Sequence, residues 1–348
     1  MAAVLQVPNP AVPTRTTRKR FLGLFGGRRR RRQIDQAAIR LGAHTGDPTG
    51  GNYGDPEELR LYNMNIGDAR VLQIANSLRL STKIKTLDLS HNKFGDVGAF
   101  ALGKILLSTS SLTRLSLGKN RLVGVMGITS IADSLQHPEC RLQALSLSKM
   151  AIGNVLCAMI ANALKTNQHL QELLLHSNII SDQGANALGE ALQVNTSLRA
   201  LDVSDNSISD DGIDALISGL QVNTTLKHLF LGDNQLSVQA LQNLQDLVAT
   251  KNASLHILDA KTHYSRVTCT SSEDKKSKLY QKMEHFLSLN RNGRLLLRQE
   301  PSRAILPLIY ARVTADPYTN ISYSCQQTHY SPELLYGLIR ELPHLIAR

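Results

Sequence analysis

The segments Leu112–Leu122 (LTRLSLGKNRL) and Leu170–Ile180 (LQELLLHSNII) share the pattern L-x-x-L-x-L-x-x-N-x-L/I. This block recurs at steps of 28 to 30 residues, with its first residues at Ile84, Leu112, Leu142, Leu170, Leu198, Leu226 and Leu255. A further step of 28 back from Ile84 reaches Pro56, ahead of matching leucines at Leu59 and Leu61. A period of this length is typical of a solenoid built from stacked repeats.

Each repeat is predicted to contain one strand and one helix. Apolar and polar residues alternate in the first half of the block, as in a strand with one buried face. A helical spacing follows, seen in Gly98, Ala101, Leu102, Ile105 and Leu106 and again in Gly184, Ala187, Leu188, Ala191 and Leu192. One repeat buries too little apolar surface to offset the entropy of ordering about 28 residues, so the repeats must stack.

The asparagine of the block is expected to bond main-chain groups where the chain leaves the buried strand. Met64 and Met150 replace it in two repeats, and we expect those two turns to be less tight. The extra residues of the 30-residue repeat, around Val123 to Gly127, are expected to bulge from the loop between strand and helix.

These residues closely resemble the leucine-rich repeats of the ribonuclease-inhibitor-like subclass, over roughly Asp55 to Ala260. The resemblance implies an α/β fold class: a leucine-rich repeat solenoid, or right-handed α/β horseshoe, with parallel strands on a concave wall and helices on a convex wall. It also implies a role in protein recognition. We expect seven to eight repeats, spanning residues 55–260, and a small α-helical C-terminal cap.

The end of the chain departs from the period. Residues 261–278 are expected to be a polar linker, and residues 279–348 a helical cap or extension. A helix is predicted from near Lys278, followed by helices at Arg303–Val313 and Pro332–Leu342. The segments Leu287–Arg294 and Leu335–Leu345 resemble a C-terminal extension of leucine-rich repeat proteins from algae and other protists.

The predicted helix end at Gly293 would let Arg291 and Arg294 reach the last carbonyl groups of their own helix. Capping of the repeats and docking of another protein remain alternative roles for these helices.

The net charge of +11 is concentrated at the start of the chain. Residues 1–34 hold nine bases and no acid, so the remainder carries only 11 − 9 = +2. The bases flank the apolar patch Phe21, Leu22, Leu24 and Phe25, and they are Arg15, Arg18, Lys19, Arg20, Arg28, Arg29, Arg30, Arg31 and Arg32. A basic stripe for duplex nucleic acid is therefore not expected on the repeats.

The basic arm, residues 1–33, contains three prolines and is expected to be disordered in isolation. Four interpretations remain open for it: a solubilising arm that sticks non-specifically, for example to nucleic acid, a nuclear import signal bound by an import receptor, an organelle transit peptide, and a contact with anionic lipid. Residues 34–54 are expected to be a linker or an N-terminal cap.

Composition narrows the remaining possibilities. No apolar run approaches about 18 residues, so no transmembrane helix is expected, and the protein is expected to be intracellular, in cytoplasm or nucleus, or in an organelle.

The four cysteines lie far apart without a C-x-x-C pair, which argues against a zinc site, a disulfide framework or a redox dithiol: Cys140, Cys157, Cys269 and Cys325. Cys140 and Cys157 are expected to be packed thiols, and no cofactor is expected. The glycosylation sequons are expected to be unused, at Asn195, Asn223, Asn252 and Asn320.

Residues beside the buried leucines should point to the open side of the sheet in three rows. The first row holds Arg60, Asp88, Ser116, Ser146, Leu174, Asp202 and Phe230. The second row holds Glu58, Thr86, Arg114, Ala144, Glu172, Ala200 and His228. The third row, at the strand ends, holds Asn63, His91, Lys119, Lys149, Ser177, Asp205 and Asp233.

Charge is graded along these rows, from basic residues in the middle to acids around the apolar pair Leu174 and Phe230. Apolar anchors surrounded by charge are typical of an interaction hot spot. The residues predicted to contact a partner are Arg60, Asp88, Arg114, Lys119, Lys149, Glu172, Leu174, Asp202, Asp205, His228, Phe230 and Asp233. The competing interpretation is that these are ordinary solvated strand residues.

The same face also carries residue types that are used in catalysis. Asp88 with His91, and His176 beside Asp202 and Ser204, bring carboxylate, imidazole and hydroxyl groups within reach of one another. No oxyanion nest or strained elbow accompanies them, and an open face does not exclude water. We therefore predict no catalytic residues, no metal and no small-molecule substrate.

The sequence predicts a non-enzymatic, monomeric protein-interaction scaffold. One alternative is a regulator of a small GTPase, because GTPase-activating proteins of the Ran type share this repeat subclass. Those proteins place an arginine on an early loop, and Arg70 and Arg121 are expected on early loops here. A second alternative is a sensor or adaptor resembling the repeat part of intracellular immune receptors.

Overall fold

The computed structural model describes residues 57–79, 81–261 and 271–291. The basic arm, the segment 34–54 and the helices predicted at Arg303–Val313 and Pro332–Leu342 lie outside these residues, as do Cys269, Cys325 and Asn320. Within the described ranges the chain alternates between strand and helix.

The strands are β1 (Glu58–Arg60), β2 (Thr86–Asp88), β3 (Arg114–Ser116), β4 (Ala144–Ser146), β5 (Glu172–Leu174), β6 (Ala200–Asp202), β7 (His228–Phe230) and β8 (Ile257–Asp259). The helices are α1 (Asp68–Leu78), α2 (Asp96–Leu106), α3 (Val125–Gln136), α4 (Asn154–Leu164), α5 (Asp182–Val194), α6 (Asp210–Leu220), α7 (Val238–Asp246) and α8 (Ser271–Arg291). A π-helical turn, Leu247–Lys251, follows α7.

The eight strands form one open parallel sheet in chain order, β1 to β8. Each strand pairs with the next in the same register, so residues of the same repeat position stand side by side across the whole sheet. The structure is therefore an α/β leucine-rich repeat solenoid, as the period and alternation predicted.

The middle residue of each strand points into one continuous core beneath the sheet. From β2 to β7 this residue is a leucine at most 1% exposed, and burying such a side chain contributes about 1.5–3 kcal/mol. The helix positions predicted from spacing fill the opposite wall of the same core, with Leu102 and Leu188 fully buried.

An asparagine ladder holds the turns after the strands. In Asn92, Asn120, Asn178, Asn206 and Asn234 the side-chain nitrogen donates to two carbonyl oxygens, one in its own repeat and one in the repeat before. The side-chain oxygen accepts from main-chain N–H groups of the preceding repeat. These bonds satisfy backbone groups that would otherwise be buried without partners.

The two repeats with methionine in place of this asparagine have a different turn. The residue after each methionine, Asn65 and Ala151, has a positive φ of 56° and 60°. This is a second left-handed residue, since Asn63 and Lys149 already have positive φ in those turns. The main-chain N–H groups of Met150 and Ile152 then both reach the Asn178 side-chain oxygen.

The 30-residue repeat distributes its two extra residues differently from the prediction. From strand start to helix start it runs from Arg114 to Val125, one residue longer than the step from Thr86 to Asp96. The second extra residue lengthens helix α3. Val123 is 4% exposed, so it packs inward rather than bulging outward.

A second ladder of asparagines lies where each helix turns into the next strand. Asn167, Asn195, Asn223 and Asn252 are buried, and each side-chain nitrogen donates to a main-chain oxygen of the preceding repeat. The sequons at Asn195, Asn223 and Asn252 are therefore closed to glycosylation in the folded chain.

Carboxylates link the helix starts of neighbouring repeats. The Asp96 side chain accepts from the main-chain N–H groups of Gly124 and Gly127, at 2.7 and 2.9 Å. Asp68, Asp182 and Asp210 make the equivalent contacts in other repeats, and the neutral amide oxygen of Asn154 takes the same place in one repeat. A negative charge at these positions also complements the positive end of the helix dipole.

Helix α8 covers the last repeat through Leu279, Met283 and Leu287, which are buried. It begins at Ser271, seven residues before the predicted start near Lys278, because its first turns contain no apolar residue and so show no periodic pattern. Arg291 does not cap its own helix as predicted: its guanidinium donates to the His256 carbonyl oxygen at 2.7 Å.

Candidate partner-binding face

The candidate site is the face of the sheet opposite the helices, which we call the open face. The strand register aligns the first row from Arg60 to Phe230 and the second row from Glu58 to His228, and it extends them to Asp259 and Ile257 on β8. The structure thus brings the sequence-predicted residues together on one surface.

The third row has a feature that the sequence pattern did not indicate. All seven of its residues are in the left-handed region, with φ between 51° and 63°: Asn63, His91, Lys119, Lys149, Ser177, Asp205 and Asp233. The same backbone conformation therefore accepts lysine in the middle repeats and aspartate in the later ones. The backbone conformation at this repeat position is therefore the same for all of these side chains.

The second row carries charged residues on alternate strands. The Arg114 guanidinium reaches over Ala144 and binds the Glu172 carboxylate at 2.9 Å, two strands away. Ala200 then separates Glu172 from His228. Small side chains on the intervening strands leave room for these contacts.

His228 is held largely neutral. Burial lowers the pKa of its imidazole below the ordinary value; the Glu172 charge opposes this and the Lys227 charge adds to it. A neutral imidazole beside Phe230 on the same strand extends the apolar character of this part of the open face.

The first row places Leu174, Asp202 and Phe230 on consecutive strands, β5 to β7. Leu174 and Phe230 are half-buried rather than fully exposed. Asp202 lies on the strand between theirs, and neighbouring strands are about 4.8 Å apart. The apolar pair is therefore interrupted by a charge.

A hydrogen-bonded chain fixes that charge. Asp202 accepts from the Ser204 hydroxyl at 2.6 Å and contacts His176 Nδ1 at 3.2 Å, and His176 Nδ1 lies 3.0 Å from the Ser148 hydroxyl. Burial alone would raise the pKa of Asp202, but the hydrogen bonds from His176 and Ser204 hold it below its ordinary value. Asp202 is thus a permanently charged, preorganised acceptor near neutral pH.

The same geometry differs from that of a hydrolase triad. Ser148 and Asp202 both approach Nδ1 of His176, whereas a triad needs the hydroxyl and the carboxylate on opposite ring nitrogens. Asp88 accepts from the main-chain N–H of Ser90. Among the described residues no cluster of metal-ligating side chains occurs.

An aromatic and basic cluster marks the first repeats. The Tyr62 and His91 rings lie 5.6 Å apart, and the Lys119 ammonium stands 5.8 Å from the centre of the Tyr62 ring. Arg60 is paired with Glu58 at 2.6 Å. The sequence pattern did not indicate Tyr62, because its repeat position is serine or glycine in five of the next six repeats.

The arginines considered for a GTPase regulator are placed differently from each other. Arg70 lies inside helix α1 rather than on a loop, where its guanidinium contacts Gln73. Arg121 lies in the turn that follows β3. The expectation of an early loop is therefore wrong for Arg70.

Two further expectations concern the cysteines and the membrane. Cys140 and Cys157 are free, buried thiols, and burial raises the pKa of Cys157 to about 12. No helix among the described residues is long and apolar enough to cross a membrane.

Comparison with known sequences agrees with the repeat assignment. The profile of the family described as "Leucine Rich repeat" matches residues 80–103, 166–189 and 194–216. The chain is a leucine-rich repeat protein, and such repeats indicate a protein-interaction scaffold.

Curated relatives carry the same type of repeat. The chain is 33% identical over 132 residues to human NACHT, LRR and PYD domains-containing protein 12, covering 38% of this chain and 12% of that protein. It is 31% identical over 144 residues to rat NACHT, LRR and PYD domains-containing protein 3, covering 33% of this chain and 14% of that protein. The chain therefore spans only 12% to 14% of the length of these relatives.

Two solved structures are also similar. Actin-binding site 2 of leiomodin-1 has a TM-score of 0.39 and 17% identity, covering 51% of this chain and 97% of that one. An internalin from Listeria monocytogenes has a TM-score of 0.35 and 24% identity, covering 58% of this chain and 48% of that one.

Proposed function

We propose that this protein is a non-enzymatic scaffold that binds a protein segment on the open face, with its main contacts on β5 to β7. The observation that carries the proposal is the row Leu174, Asp202, Phe230, in which two half-buried apolar side chains flank a fixed carboxylate. Interfaces concentrate their binding energy in such partly enclosed apolar anchors.

The charges nearby indicate what the segment carries. Arg114 is already paired with Glu172, while Asp202, Asp205 and Asp233 add three negative charges around Phe230. A complementary segment has apolar side chains next to lysine or arginine, because opposite charges steer and align the two surfaces. The basic residues Lys119 and Lys149 would meet an acidic stretch of the same partner.

The proposal is tested by affinity capture with three forms of the full chain. One is unchanged, one carries Leu174→Ser and Phe230→Ser, and the matched control carries Val194→Ser and Val222→Ser, two exposed valines at helix ends away from the open face. Bound proteins are quantified by mass spectrometry, and thermal melting verifies that the variants fold. A partner lost only from the open-face variant supports the proposal, and equal capture by all three forms contradicts it.

The sensor or adaptor alternative is favoured by one observation, the similarity to proteins named for NACHT, LRR and PYD domains. It predicts capture of a signalling component by the same face. The GTPase-regulator alternative predicts capture of a small GTPase and faster nucleotide hydrolysis, which Arg121→Ala would abolish.

We also propose an intracellular site of action. The closed sequons at Asn195, Asn223 and Asn252 support it, because the folded repeats could not accept a glycan there. Imaging of the full chain beside a form without residues 1–33 tests whether the basic arm directs location.

A further inference from the structure

The acidic part of the open face lies at the ends of the last strands. Asp202 and Asp259 lie on the first row, and Asp205 and Asp233 on the third row, so four carboxylates gather over β6 to β8. Lys261, two residues after the end of β8, is a basic residue that follows them in the chain. In the first row Phe230 lies between Asp202 and Asp259, and Leu174 lies on the other side of Asp202.

A segment of this chain has the complementary pattern. In residues 18–32 the apolar residues Phe21, Leu22, Leu24 and Phe25 stand between the basic clusters Arg18–Arg20 and Arg28–Arg32. In an extended chain, Phe21 and Phe25 are separated by roughly 13 Å, similar to the roughly 10 Å across the two strand spacings between Leu174 and Phe230. The spacing of the apolar residues in this segment is therefore similar to that on the open face, and its charge is opposite in sign.

The segment can also reach the face. From β1 to β7 there are six strand spacings of about 4.8 Å, or about 29 Å along the sheet. The chain from Arg32 to Glu57 covers 25 residues and can span up to about 80 Å. Tethering supplies an effective concentration on the order of mM, so even a contact too weak for a separate peptide is occupied.

We propose that residues Arg18–Arg32 of this chain bind its own open face over β5 to β8, with Phe21 and Phe25 beside Leu174 and Phe230 and the arginines beside Asp205 and Asp233. The basic arm then competes with an external partner for the same surface. This inference rests on the proposed function only for that competition; the contact itself stands without any external partner.

The charge of the open face can be reversed by two substitutions in the third row. Lys119 and Lys149 occupy the third-row position with φ values of 63° and 61°, close to the 51° and 55° of Asp205 and Asp233. Asp205→Lys and Asp233→Lys therefore place a residue type that this turn already accepts. The matched control is Asp133→Lys with Asp211→Lys, which makes the same change of charge on exposed positions of helices α3 and α6.

The experiment uses the full chain with a benzophenone photo-crosslinking residue in place of Phe25. Isotopically light and heavy chains are mixed at low concentration, irradiated, digested and mapped by mass spectrometry. We expect crosslinks within single chains to the peptides of strands β5 to β7 and of the third-row turns that follow them. Their yield should fall by about tenfold in the Asp205→Lys, Asp233→Lys form and stay within about twofold in the control, because charge complementarity orients the contact.

Crosslinks to helical peptides, crosslinks only between light and heavy chains, or an unchanged yield after the open-face reversal would overturn the inference. The outcome is distinguishable from failure of the proposed function. Because the arm competes for the face, capture is repeated with a form that lacks residues 1–33. Capture of an external partner without arm crosslinks rejects only this inference, and arm crosslinks in a chain whose shortened form captures no partner reject only the proposed function.

Discussion

The side-chain nitrogen of Asn290 donates to the main-chain oxygen of Asn252, at 3.3 Å, and to that of Leu255, at 2.8 Å. Asn252 itself donates to Leu220 and Asn223 of the repeat before it. Asn290 therefore continues the second ladder, which runs from Asn167 to Asn252, by one step, although it lies on helix α8 and outside the repeats. Through Asn290, helix α8 makes the hydrogen bonds that the asparagine of a following repeat would make.

We predict that Asn290→Ala destabilises the chain by about 1–3 kcal/mol, because the buried carbonyl oxygens of Asn252 and Leu255 lose their donor. The measurement is urea unfolding together with amide hydrogen exchange in helix α8. Gln281→Ala, at an exposed position of the same helix, is the control and should change little. Equal stability of the two variants would show that the Asn290 contacts do not hold the cap.

We predict that Gly219→Ala is destabilising by at least about 2 kcal/mol, although alanine is favoured over glycine by about 1 kcal/mol within a helix. A methyl group at Gly219 would overlap the main-chain oxygen of Gly189, so helices α5 and α6 would have to separate. Gly67→Ala is the matched control, since a methyl group there meets no atom within 4 Å. Thermal unfolding measures the loss of stability in both variants. Similar melting temperatures would contradict close packing of the two helices.

Periodicity predicted the architecture because each repeat reports on the same physical requirements. Leu115 and Leu173 mark the buried strand face, and Asn120 and Asn178 mark the turn that needs side-chain partners. Because the pattern occurs seven times, it also predicts the strand register. The alignment of the open-face rows follows from that register.

Contacts between neighbouring repeats were less predictable. The chain Ser148, His176, Asp202 joins residues 28 and 26 positions apart, and only the strand spacing brings them together. The left-handed conformation of Ala151 and the hydrogen bond from Arg291 to the His256 carbonyl oxygen also depend on the adjacent repeat. The local sequence of one repeat shows the periodic positions, but it does not show which side-chain rotamers form hydrogen bonds between neighbouring repeats.

We predict that Cys157 resists thiol reagents in the folded chain near neutral pH. Its pKa of about 12, raised by burial, leaves almost no thiolate, and the thiolate is the reactive form. Burial also raises the pKa of Cys140, so the same result is expected there. Iodoacetamide labelling, with each cysteine peptide quantified by mass spectrometry, should modify both thiols only after denaturation. Rapid labelling of Cys157 in the native chain would mean that helix α4 opens readily.

We predict that Asp202→Asn makes stability less dependent on acid pH. Because the folded pKa of Asp202 lies below its unfolded value, the carboxylate contributes stability above the unfolded pKa, and that contribution is lost as the pH falls through the folded one. The unchanged chain should therefore lose more unfolding free energy between about pH 7 and about pH 3 than the variant does. Urea unfolding at a series of pH values measures this difference, with Asp211→Asn, an exposed position on helix α6, as the control. Parallel curves of unfolding free energy against pH for all three forms would mean that His176 and Ser204 do not hold the carboxylate in solution. The fixed charge between Leu174 and Phe230 would then no longer support the proposed recognition.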